Sequence, residues 1–159
     1  MTTDIDIEAK PGQQEVVITH EFQAPRELVY RAYTEPELVA RWWGPRYLIN
    51  DVHEHDARAG GSWRVVQRTP DGTEHAFHGV YHLAEAPSRI VRTFEYEGAA
   101  GHVSLETLEL EDLGGGRTRA IQHAVFQSLG DRDAMLSSGM ELGVREGFER
   151  LEELLAELA

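Results

Sequence analysis

Along the chain the apolar positions switch between two periods, and the switches mark the elements. Residues 14–22, "QEVVITHEF", are rich in β-branched side chains and predict a strand. In "APRELVYRAYTEPELVARW" the spacing becomes helical, with Leu28, Val29 and Ala32 on one face. Pro25 stands where a first helical turn tolerates it, and Pro36 interrupts before a second short turn at Glu37–Arg41. Between Leu48 and Phe126 alternation returns, cut by "AGG" (59–61), "PDG" (70–72), "APS" (86–88), "EGAAG" (97–101) and "LGGG" (113–116). About six strands at hairpin spacing predict a meandering antiparallel sheet. From "SLGDRDAML" to Leu158 the period is helical again, with Asp131 and Asp133 near its start, and predicts one helix of roughly 27 residues, about 40 Å long.

Strand, two short helices, six strands, one long helix: this order predicts an α+β fold. A curved seven-stranded antiparallel sheet wraps a long C-terminal helix, and the two short helices follow strand 1. Residues 1–13, polar and holding Pro11 and Gly12, make a flexible N-terminal arm in this reading, and 14–159 make a single domain.

The last helix carries an oddity. Leu136, Met140, Val144, Phe148, Leu151, Leu155 and Leu158 form a stripe made for burial, and beside it Gly139, Gly143 and Gly147 stand four residues apart. An interior helical glycine costs about 0.5–1 kcal/mol relative to Ala. Interleaved charges exclude a membrane helix pair, which needs an apolar setting. Two explanations stay open. Either the helix backbone packs closely on the sheet, or the missing side chains leave a space there, with Met140, Gly143 and Val144 on its helical side. The glycines occupy the N-terminal half, while Leu151, Leu154, Leu155 and Leu158 fill the C-terminal half, so one half anchors and the other leaves room.

Strand alternation supplies the opposite wall. Trp63, Val65 and Gln67 share one face; Phe77 and Tyr81 share another; Ile90, Arg92, Phe94 and Tyr96 a third. The expected interior is aromatic, with Gln67 and Gln122 orienting polar groups of a guest. Arg92 is the odd member: it holds an anionic ligand group, or it lies at the strand end in solvent near Glu95 or Glu97. In 118–126 either Ala120, Gln122 and Phe126 or Ile121, His123 and Val125 face inward. "RWWGP" (41–45) sets Trp42 and Trp43 about 100° apart, so one plugs the domain while the other edges the cavity or a partner surface.

Composition narrows the partners. A formal net charge of −13 repels nucleic acids and anionic membrane surfaces, so neither is expected as a partner. Without cysteine there are no disulfides, thiol nucleophiles or thiolate metal sites. "MTTDIDIEAK" lacks the apolar core of a signal peptide, and no apolar run is long enough to span a membrane. We therefore expect a cytoplasmic protein. His53 and His55, at i, i+2 on one strand face, have a chelating spacing but no third ligand; no metal ligand, cofactor or catalytic residue is nominated.

Four stretches together carry a likeness: "FQAPRELVYRAYTEPELVARWWGP", "ARAGGSWRVVQRTPDG", "FHGVYHLAEAPSRIVRTFEYEG" and "GMELGVREGFERLEELLAEL". Over about residues 14–158 the chain resembles the START-like, Bet v-like (SRPBCC) superfamily. Its nearest branch is the stand-alone bacterial domains similar to the activator of the ninety-kilodalton heat-shock chaperone's ATPase. The resemblance implies a helix-grip fold with a cavity between sheet and helix, hence binding of a small hydrophobic or aromatic ligand. Two alternatives stand beside it: an enzyme of the polyketide cyclase or hydrolase kind in the same cavity, and a chaperone co-regulator or interaction module. The last would work through the Trp42–Trp43 surface, in its simplest form as a homodimer.

Overall fold

The computed structural model describes residues 5–159. Its strands are β1 (Asp6–Glu8), β2 (Glu15–Phe22), β3 (Ile49–His55), β4 (Ser62–Arg68), β5 (Glu74–Glu85), β6 (Arg89–Tyr96), β7 (Val103–Gly114) and β8 (Arg117–Val125). All pair antiparallel in one sheet of order β1-β2-β8-β7-β6-β5-β4-β3. The helices are α1 (Arg26–Thr34), α2 (Pro36–Trp42), α3 (Leu129–Ser137) and α4 (Met140–Leu158).

The sheet has eight strands where seven are expected, and the additional one lies in the supposed arm. Ile7 pairs with Ile18, and Ile5, Ile7 and Ala9 pack against the core. Their alternation is short and set among acidic residues, so composition hid it. Residues 1–4 of the arm lie outside the described residues.

In β2 every second residue is buried: Val16, Ile18, His20 and Phe22. These receive the C-terminal half of α4, where Phe148, Leu151, Leu154 and Leu155 are buried, each side chain contributing about 1.5–3 kcal/mol. Phe148 stacks on His20 at 5.2 Å and meets Phe22 edge-on at 5.3 Å. His20 Nε2 lies 2.8 Å from Glu152. This end of the helix is clamped.

The single long helix is not observed. Ser128 caps α3 by accepting from the Asp131 N–H, and the chain breaks at Gly139, whose φ is +86°. The remaining α4 has 19 residues, about 28 Å at 1.5 Å per residue. A left-handed residue cannot continue a right-handed helix, and only glycine adopts that geometry without strain.

α1 and α2 close the adjoining end of the sheet. Pro36 opens α2 at its first turn, and the Trp42 indole donates to the Ala32 carbonyl at 2.9 Å. Trp42 is therefore the plug. Trp43, one residue on, turns to the space beneath α4.

Candidate functional site

Between the concave sheet and the N-terminal half of α4 lies a hollow of about 750 Å³. The three glycines have three different reasons. Gly139 makes the helix break. A side chain at Gly143 would touch only Pro45, at 3.5 Å. At Gly147 a Cβ would press on the Gly44 nitrogen at 3.2 Å and the Trp42 carbonyl at 3.4 Å. Close backbone packing thus accounts for Gly147, whereas a methyl at Gly143 would make only ordinary contact with Pro45 at the edge of the hollow.

The loop after α2 is fastened to α4 from several directions. Arg150 donates to the Gly44 and Pro45 carbonyls at 3.3 and 3.2 Å, and the Arg46 N–H donates to Glu146 at 3.0 Å. Arg46 also pairs with Glu153. From the sheet side, buried Gln67 donates to the Trp43 carbonyl at 3.3 Å and to Asn50 at 3.1 Å. Its amide nitrogen is engaged in holding this loop.

All twelve residues nominated from the sequence line the one hollow. Trp63, Val65 and Gln67 come from β4, Phe77 and Tyr81 from β5, Arg92 and Phe94 from β6, and Gln122 from β8. Trp43 follows α2, while Met140, Gly143 and Val144 face them from α4. The inward set of β8 is Ala120, Gln122 and Ala124, continued by Phe126 just past its end, with Ala120, Ala124 and Phe126 buried.

One wall is an aromatic cluster. Trp43 stands edge-on to Phe77 at 5.3 Å and to Trp63 at 6.0 Å, and Phe77 tilts against Phe94 at 5.4 Å. Such ring pairs add about 0.5–1.5 kcal/mol each beyond burial.

The other wall is polar, and the sequence reading missed most of it. Arg92 is not in solvent beside Glu95 or Glu97; those carboxylates pair instead with His78 and, for Glu97, Arg64. Arg92 faces its cross-strand partner Glu106 at 3.4 Å, and its guanidinium lies 4.1 Å from the Trp63 ring centroid. Burial pushes the Glu106 carboxyl above the usual range, against the pull of Arg92. His55 Nε2 shares a hydrogen bond with the Tyr81 hydroxyl at 2.8 Å. Burial, aided by Arg92, lowers the His55 pKa to about 4, with the Tyr33 main chain and Asp56 opposing, so the ring is neutral at ordinary pH.

His53 and His55 do not share a face. A β-bulge between Val52 and Glu54 restores His55 to the inner side opposite Trp63, while His53 lies outside against Arg64. Among the described residues no group of three or more His, Asp or Glu side chains is placed to hold a metal ion. Nor, among them, is any helix long and apolar enough to cross a membrane.

The fold has counterparts among known proteins. A family model described as "Activator of Hsp90 ATPase homolog 1-like protein" matches residues 23–156. The chain belongs to this family. A solved protein from Rhodobacter sphaeroides is 27% identical to this family member, with a TM-score of 0.88 over 97% of this chain and 99% of its own. One from Arthrobacter aurescens is also 27% identical, with a TM-score of 0.87 over 96% and 91%. A protein described as AHSA1 from Silicibacter pomeroyi, at 20% identity and a TM-score of 0.76 over 91% and 99%, shares the fold. No curated protein matches the chain. The likeness therefore holds over nearly the whole domain.

Proposed function

We propose that this domain binds a small apolar or aromatic molecule in the hollow between the sheet and α4. One observation carries the reading: a space of about 750 Å³ with an aromatic wall, its partly buried Arg92 already paired with Glu106. Ligand sites commonly measure about 300–1,000 Å³ and are lined by apolar and aromatic side chains with a few placed polar groups. Protein interiors otherwise pack to near-crystalline density, and a void forfeits dispersion contacts along its whole lining. A guest of matching shape restores them.

Thermal unfolding with a panel of bicyclic aromatic compounds tests this. The wild type gains melting temperature with at least some of the panel. Val144→Trp, which fills the space from the helix side, loses that response. The reading is abandoned if no compound stabilises the wild type, or if Val144→Trp responds as strongly.

A further inference from the structure

Accepting the hollow as a binding site, its polar wall specifies which end of the guest it meets. Four groups there are already matched: Arg92 with Glu106 at 3.4 Å, and Tyr81 with His55 Nε2 at 2.8 Å. Two atoms of this wall are buried and have no partner among the described residues. They are the Tyr33 hydroxyl and His55 Nδ1, both on residues that line the hollow. Tyr33 reaches it from the last turn of α1, and His55 from the end of β3. Buried polar atoms are nearly always paired, so two orphans beside an unfilled space point to a missing partner.

Charge selects that partner's class. Arg92 and Glu106 cancel, so the wall has no net charge to offer. A carboxylate entering here would have to take Arg92 from Glu106 and leave one carboxylate buried beside another. A cation would meet Arg92 itself. Either exchange is unfavourable where water cannot screen it. An uncharged oxygen disturbs nothing: it accepts from the Tyr33 hydroxyl, and a neutral imidazole serves a hydroxyl or carbonyl neighbour through Nδ1.

We propose that the polar wall recognises an uncharged, hydrogen-bonding head group (a ketone, phenol or alcohol oxygen) on a largely aromatic body. Tyr33 and His55 make the contacts, and carboxylates are turned away. Trp63 sits at the junction, with the Arg92 guanidinium over its ring and Phe94 at 5.9 Å on the aromatic side, so body and head fall on adjoining surfaces.

Three probes of one shape separate the terms: acetylnaphthalene, naphthalene and naphthoate, titrated into the protein and followed by NMR chemical shifts. The wild type binds acetylnaphthalene about tenfold more tightly than either of the others, the gain expected of one recovered hydrogen bond. Tyr33→Phe loses most of that preference while keeping its affinity for naphthalene, which also shows that the variant is folded. Naphthoate binding most tightly overturns the inference in favour of an anion site on Arg92. Equal affinity for naphthalene and acetylnaphthalene overturns it too, as does a preference that survives intact in Tyr33→Phe. In each of those cases binding in the hollow still stands. If none of the three binds, both readings fall together.

Discussion

The main chain of Gly147 lies so near Gly44 that a methyl group on it would sit 3.2 Å from the Gly44 nitrogen. Four residues earlier, Gly143 has only the Pro45 side chain within reach. The two positions therefore respond oppositely to the same change. Gly143→Ala gains helix propensity, about 0.5–1 kcal/mol, and stabilises the domain. Gly147→Ala gains the same but must displace backbone, which costs about 1–3 kcal/mol, so it is destabilising overall. Chemical denaturation of both variants checks the contrast in sign.

Gly139 responds for another reason. Nothing lies within 4 Å of a side chain placed there, yet its φ is +86°. Gly139→Ala costs about 1–2 kcal/mol through backbone strain alone. Gly139→Asn costs less, since asparagine tolerates the left-handed region. Equal stability of the Ala variant and the wild type would mean that α3 and α4 run on as one helix.

His55 makes stability depend on pH. Its folded pKa is about 4 against an ordinary 6.5, so between these values the unfolded chain binds the extra proton. Its contribution is fully present above pH 6.5 and is lost as the pH falls towards 4. Urea midpoints of the wild type and His55→Gln, compared across this window, converge on acidification. An NMR titration of the ring with a midpoint near the ordinary value would show that water reaches it.

Arg92 and Glu106 are coupled through burial. Arg92→Leu leaves the carboxylate without its cation and costs about 3–5 kcal/mol at neutral pH. Glu106, already raised, then rises further. Its folded state holds a proton that the unfolded chain releases, so the variant regains stability as the pH is lowered. The double variant Arg92→Leu/Glu106→Leu recovers most of the loss at pH 7, measured by urea unfolding. A double variant as weak as the single would place the stabilisation in the stacking on Trp63 instead.

Much of this architecture is legible in the sequence because it rests on period and punctuation. Alternation in β4, β5 and β6 places Trp63, Phe77, Tyr81, Arg92 and Phe94 on one side, and glycine turns separate the strands. The polar wall is less legible, since a residue's partner lies across the sheet. Glu106 shares its face with Leu108 and Leu110, a signal present in "LETLELED", but a strand glutamate reads by default as solvated. What places it inside is the register opposite Arg92. Tyr33 sits at the end of α1, where its direction depends on how that helix packs. Gly139, Gly143 and Gly147 look alike on paper. Only backbone geometry shows that one breaks the helix, one touches a loop and one faces space.

The central claim is that a guest sits between the sheet and α4. Intermolecular NOEs from bound acetylnaphthalene to side-chain protons of the isotope-labelled protein test it most directly. The account predicts contacts to Trp63, Phe77 and Met140 together, which a single molecule makes only from inside the hollow. Contacts confined to exposed residues outside the hollow, such as Ile49, Val80 and Leu142, would contradict it.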